Sequence, residues 1–284
     1  MIRNATEAGV EIMVSPYFNF ISANATGYAQ ALADGVLATS GDSESGPAQG
    51  IGQTAMYDVF TPAARARMMK SAVSAAGSYG AVGVRNWWLD CQEPCQSPGM
   101  STAIWGGKAA MPHAAVGAAY PHLLAEATRG AMTNGTVMLG RSAWAGTQRF
   151  GAAVWSGDTD SSWLALRQQV RAGLNAQMSG ITYWTSDIGG YAGGGGGPQG
   201  KGFDHNIHSK AFLQLLTRWF QVCCWLCGAV RALHACAVAC ADCSSIVWRV
   251  LPSVPVARPQ AADAAARGLP GLRRFRIVQR SLAL

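Results

Sequence analysis

A chain of 284 residues with 49% apolar side chains is long enough for one large α/β domain or two ordinary ones and can bury a sizeable core. Its formal charge of +7 sits at one end: residues 222–284 hold eight Arg, no Lys and two Asp, whereas residues 1–221 hold fourteen basic and thirteen acidic side chains. The near-neutral body gives no reason to expect a nucleic-acid partner, and it has no long apolar run that would make it a membrane protein.

The N-terminal MIRNATEAGVEIMV lacks an apolar h-region, so no signal peptide is expected. Glu11 to Phe18 is a short apolar run suited to a buried parallel strand. Gly27 to Gly35 can make two helical turns, and Thr39 to Gly52 reads as a polar Gly/Ser-rich loop. Thr61-Pro62 opens a helix, with a capping hydroxyl followed by proline in the first turn, and Ala63 to Ser78 continues it. Val84 to Asp90 is a second strand ending on an acid, followed by a long loop from Cys91 to Pro112. Cys91 and Cys95, the only cysteines of the body, make no disulfide framework. Ala114 to Met132 reads as helix, closed by Asn134-Gly135.

Three further apolar runs follow: Val137 to Arg141, Ala152 to Ser156 and Ile181 to Thr185. The last two lead directly into acids, Asp158 and Asp187. Between them Trp163, Leu166, Val170, Leu174 and Met178 recur at helical spacing, with Asp160 or Ser161 as the expected cap and Gly180 as the stop. After a glycine-rich loop at Gly193 to Gly197, a last helix places Phe212, Leu215, Leu216, Trp219 and Phe220 on one face. About five strand–helix units result, which fits an α/β fold, either part of a (β/α)8 barrel or an open doubly wound sheet. In both, ligands bind where strands end, so acids at those ends mark a candidate site.

Four segments in order, NWWLDCQEP at 86–94, RSAWAG at 141–146, WSGD at 155–158 and GITYWTSDIGGY at 180–191, resemble glycoside hydrolase family 31. MVSPYF and YDVFTPAARARM at 57–68 extend the resemblance over roughly residues 8 to 221. The resemblance implies a TIM barrel, here incomplete, and a retaining α-glucosidase or α-xylosidase that hydrolyses terminal α-glycosidic bonds of an oligosaccharide or glycoside. No metal or organic cofactor enters the implied mechanism. Asp90 matches the family's nucleophile and Asp158 its general acid/base; Arg141 and Asp187 match residues that hold sugar hydroxyls; Trp88, Trp155 and Trp184 match positions that wall the pocket. Such a pair of carboxyls stands about 5–5.5 Å apart, one attacking the anomeric carbon and the other protonating the leaving oxygen. Competing structural roles are a helix cap for Asp158, an ion-pair partner for Arg141, core packing for the tryptophans and a loop salt bridge for Glu93.

Other constellations carry less. The Gly193–Gly197 run lacks the Lys-Ser/Thr pair of a phosphate loop, Asp204, His205 and His208 read as solvated loop residues rather than metal ligands, and no Gly-x-Ser-x-Gly elbow is present. Against the family pattern, the first two barrel strands and the last are not evident. The expectation is therefore an incomplete barrel over 1–221 with two open strand edges, unstable and inactive by itself, so that a truncated, non-catalytic product is the alternative to an enzyme. Residues 222–284 form a Cys/Ala/Arg-rich tail without a strand pattern, expected to be irregular and of the kind a shifted reading frame of GC-rich DNA would produce. A membrane-associated tail or a zinc site at Cys224, Cys227, Cys236, Cys240 and Cys243 are the alternatives for it.

Overall fold

The structure, a computed structural model, describes residues 2–41, 47–48, 54–74, 77–93, 102–193, 202–228 and 274–278. Residues 194–197 of the expected glycine-rich loop and most of the tail, including three of the five cysteines of the zinc alternative (Cys236, Cys240 and Cys243), lie outside the described residues. Val10–Val14 forms β1, Asn86–Leu89 β2, Met138–Gly140 β3, Ala152–Trp155 β4, Trp184–Thr185 β5 and Arg274–Val278 β6. All pair in parallel, in the order β5-β4-β3-β2-β1-β6. From β1 to β5 each strand lies beside its predecessor. A doubly wound sheet would reverse direction at a switch point, so this order is that of a barrel wall.

Alternation along the strands sorts the core into two faces. Met13, Leu139, Ala153 and Trp155, with Trp88 and Val137 against them, fill the inner face. Ile12, Val14, Trp87, Leu89, Met138 and Ala152 turn outward to the helices, where Met68, Tyr120 and Leu124 meet them. At the N-terminal ends of the strands a buried polar clasp fixes the register. Glu11 accepts from Arg85 and from the Asn86 side-chain amide, each at 3.0 Å, and Asn86 Oδ1 accepts from the Val137 N–H at 2.8 Å.

The longest helices are α1, Pro62–Met68; α2, Tyr120–Ala131; α3, Trp163–Met178; and α4, Lys210–Gly228, beside shorter ones at Ile2–Glu7 and at Tyr28–Ala33, where two turns were expected. Thr61 caps α1 as expected, its hydroxyl accepting from the Ala64 N–H, but the helix widens into a π-turn over Met69–Val73 and ends at Ser74. The expected helix from Ala114 begins as a short turn at His113–Val116 and restarts at Tyr120-Pro121, where proline suits the first turn. In α3 the cap is Ser162, accepting from the Ala165 N–H at 3.1 Å, and not Asp160 or Ser161. Its buried face is also displaced. Ala165, Leu166, Gln169 and Gly173 point inward, while Trp163, Leu174 and Met178 are exposed. Small residues let the helix approach the core closely, and that outweighs the periodicity of the large ones. On α4, Phe212, Leu215, Leu216 and Trp219 are buried as expected, with Phe220 half-buried.

Two segments expected to be loops contain strands. Thr39–Ser40 pairs antiparallel with the strand Ala103–Trp105, which in turn pairs with Met111–Pro112. A further ladder joins Phe20–Ser22 to Thr54–Met56. The tail also departs from expectation: α4 runs past residue 221, and β6 covers the edge of β1 over five residues. Arg-Phe-Arg-Ile-Val alternates charged and apolar residues, a strand pattern, and the free edge of β1 supplies the template. The sheet stays open between β5 and β6 among the described residues. No described helix is long and apolar enough to cross a membrane.

Asp58 anchors the antiparallel insertion. It is 1% exposed and accepts from the backbone N–H groups of Phe60, Gly106 and Gly107 at 3.1, 2.8 and 3.0 Å. Asp58→Ala strands those donors, and chemical denaturation is expected to show a loss of about 3 kcal/mol, the cost of unmaking buried bonds to a charged acceptor. A loss below about 0.5 kcal/mol would show that the insertion does not depend on Asp58.

Candidate active site

Every expected site residue lies on or just after a strand of the parallel sheet, toward its C-terminal end. Asp90 directly follows β2 and Arg141 directly follows β3; the Arg141 N–H continues the ladder by donating to the Leu89 carbonyl at 3.0 Å. That register brings the side chains together. Arg141 Nη1 donates to Asp90 Oδ1 at 3.1 Å, while Nε lies 3.3 Å from Glu93 Oε1. Glu93 thus forms the loop salt bridge expected of it. The Cys91 N–H also donates to Asp90 Oδ1, at 2.8 Å, and the Tyr17 hydroxyl donates to Oδ2 at 2.7 Å. Cys91 is disulfide-bonded, unlike the unpaired residue read from the sequence.

Asp158 and Asp187 stand on loops after β4 and β5 that are stitched to each other. Tyr191 and Ala192 donate their N–H groups to the Thr159 carbonyl at 2.9 and 3.0 Å, and the Ser161 N–H donates to the Ala192 carbonyl at 2.8 Å. This junction requires glycine at 190: its φ is +87°, and a Cβ there would lie 2.4 Å from the Ser161 Cα. From the other side, Trp219 of α4 donates its indole N–H to Ser186 Oγ at 2.9 Å. Asp158 does not cap α3, since Ser162 does.

The electrostatics couple these groups. Asp158 is at the exposed rim; partial desolvation raises its pKa, Arg141 pulls it down, and Asp90 adds a push upward. Burial drives Asp187 up to about 7, with Asp158 and Asp90 raising it and Arg141 opposing them. Glu93 is raised, first by burial. Arg141 loses some proton affinity to desolvation but is raised on balance by the surrounding carboxylates.

Trp88 and Trp155 meet edge to face at 5.3 Å on the inner side of the sheet. Trp184 is buried in register with Val154, and alternation sets it on the opposite side of the strand from Thr185 and Trp155. Buried polar atoms without a partner among the described residues gather at this same end of the sheet: Ser15 Oγ, Trp88 Nε1, Ser156 Oγ, Thr159 Oγ1 and Thr185 Oγ1. Such groups are rare in protein interiors and mark a place suited to a polar ligand. Tyr17 is the site residue that the sequence reading did not single out. Its signal was its position, just past the first strand after Pro16, matching the position of the acids on the other strands.

The chain matches the model for the glycosyl hydrolases family 31 TIM-barrel domain over residues 1–237. It is 34% identical over 226 residues to an uncharacterized family 31 glucosidase of Pseudescherichia vulneris, covering 78% of this chain and 39% of that protein. It is 35% identical over 150 residues to an α-xylosidase of Saccharolobus solfataricus, covering 49% of this chain and 19% of the relative. A crystal structure of a GH31 α-xylosidase from a soil metagenome, complexed with xylose, superposes with a TM-score of 0.66 at 34% identity, over 78% of this chain and 31% of that one. The chain therefore spans well under half the length of these relatives.

The raised pKa of Asp187 has a consequence for stability. The folded chain binds this proton with a pKa of about 7 against an ordinary value of 3.8, so the contribution of Asp187 to stability is complete below about pH 4 and is lost as pH rises through 7. Asp187→Asn is expected to leave stability at pH 4 unchanged and to raise it at pH 8 by on the order of 2 kcal/mol, read by denaturant titration. An equal effect at both pH values would contradict the assignment.

Proposed function

This chain belongs to glycosyl hydrolase family 31, and from that premise we propose that it carries the catalytic carboxyls of a retaining α-glycosidase acting on terminal α-xylosidic or α-glucosidic bonds. The observation that carries the proposal is the setting of Asp90: a carboxylate at a strand's C-terminal end, clamped by Arg141, Tyr17 and a backbone N–H, in electrostatic contact with a second carboxyl at Asp158.

Asp90 acts as the nucleophile, forming a bond to the anomeric carbon as the glycosidic C–O bond breaks. Asp158 gives its proton to the leaving oxygen, then takes one from the water that releases the sugar. These roles need one carboxyl charged and the other protonated, and environments that separate their proton affinities provide this. Arg141 secures Asp90, while Arg141 and Asp187 hold sugar hydroxyls through charge-assisted bonds. Trp88 and Trp155 wall the pocket, the unpaired Trp88 indole N–H offering a donor beside Asp90, and Trp184 backs the strand that leads to Asp187. Similarity to an α-xylosidase in sequence and to another in structure favours an α-xyloside. A second reading, a non-catalytic fragment of the family, is favoured by the opening between β5 and β6, where a closed barrel would continue its wall.

Asp90→Ala is expected to abolish turnover of an aryl α-xyloside or α-glucoside. Asp158→Ala is expected to lose about 10²–10⁴-fold on substrates with poor leaving groups while sparing activated aryl glycosides, which need no protonation. Equal losses on both substrate types would remove the acid role from Asp158, and a parent chain without turnover would favour the non-catalytic reading.

A further inference from the structure

We propose that Tyr17 positions the nucleophile, its hydroxyl holding Asp90 Oδ2 and so marking Oδ2 as the oxygen that attacks the anomeric carbon. The inference rests on the reading of Asp90 as nucleophile and deepens it.

The argument is one of acceptor capacity. A carboxylate oxygen has two lone-pair sites. On Asp90, Oδ1 already receives two donors, the Cys91 N–H at 2.8 Å and Arg141 Nη1 at 3.1 Å. Among the described residues, Oδ2 receives only the Tyr17 hydroxyl, at 2.7 Å. One lone pair of Oδ2 is therefore available, whereas both of Oδ1 are engaged. A crevice bordered by Tyr17, Asn19, Trp88 and Asp90 places the hydroxyl beside the strand end, and the Asn19 amide pins the Cys91 carbonyl at 3.1 Å. Tyr17 has φ +47°, a left-handed backbone that bulky residues seldom adopt and that persists where its surroundings demand it. Burial, and then the bond to Asp90, raise the phenol's pKa far above its ordinary value, with Asp158 adding to this and Arg141 opposing it. The hydroxyl thus remains a donor throughout the neutral range. In the step itself an Oδ2 lone pair forms the C–O bond, the electron pair of the broken glycosidic bond passes to the leaving oxygen, and that oxygen takes the proton of Asp158. Tyr17 keeps its own proton and gives up most of its bond as Oδ2 becomes an ester oxygen.

Two arms test the proposal. In Tyr17→Phe, kcat on an aryl α-glycoside is expected to fall about 10- to 100-fold, the range for a reacting group misplaced by about 1 Å, with KM little changed. The acid limb of its pH profile is expected to move to higher pH, because the carboxylate has lost a donor; a merely structural role would not move it. The second arm needs no turnover. Alkaline titration followed at 295 nm is expected to show one tyrosine ionising at lower pH in Asp90→Asn than in the parent, and no such shift when Tyr17→Phe is added. A parental kcat and acid limb in Tyr17→Phe, with Asp90→Ala inactive, would overturn the role of Tyr17 and leave the nucleophile in place. Parental turnover in Asp90→Ala would instead overturn the reading of Asp90. If Tyr17→Phe does not fold or the chain has no turnover, the tyrosine titration decides, and an unmoved titration in Asp90→Asn overturns the proposal.

Discussion

One guanidinium set among four carboxyls governs this molecule. Arg141 bonds Asp90 through Nη1 and Glu93 through Nε, and its charge also acts on Asp158 and Asp187. Burial first, and then neighbouring carboxylates, raise the pKa values of Asp158, Asp187 and Glu93, with Arg141 opposing the rise. Asp187, driven up to about 7 first by its burial, is the clearest case.

The fold exists to place those groups. Parallel pairing of β2 with β3 puts Asp90 and Arg141 side by side, since both are the first residue after their strands. At the opposite end of the sheet the bond from the Val137 N–H to Asn86 Oδ1 fixes that register, because a slip of one residue would break it and turn Trp88 away from Trp155. Stability and chemistry thus occupy opposite ends of the same strands. The loops after β4 and β5 are joined by backbone bonds to the Thr159 carbonyl, and α4 closes on Ser186 through Trp219, so Asp158 and Asp187 are held as one unit.

What the sequence made legible follows from what each signal measures. Apolar runs ending in acids located the strand ends carrying Asp90, Asp158 and Asp187, because the strand core and the site are consecutive in sequence. The face of α3 was misread, since Trp163, Leu174 and Met178 give the strongest periodicity while the small Ala165 and Gly173 make the close contact. The antiparallel insertion escaped notice because its strands are only two or three residues long and Thr39–Ser40 finds its partner some sixty residues away. Arg274–Val278 alternates as a strand should, but a tail dominated by Cys, Ala and Arg concealed it. Tyr17 lies within the Glu11 to Phe18 run read as a strand, and only the assembled sheet shows its hydroxyl meeting Asp90.

The central claim, that Asp90 is the group that becomes covalently bonded to the sugar, is most directly tested by trapping. A fluorinated α-glycosyl fluoride, whose electron-withdrawing substituent slows hydrolysis of the glycosyl-enzyme, is incubated with the chain, and the product is examined by intact-mass and peptide mass spectrometry. The account predicts a mass increase of one fluoroglycosyl unit, located on the peptide containing Asp90. An adduct on another residue, or turnover of the reagent with inversion and no adduct, would contradict it.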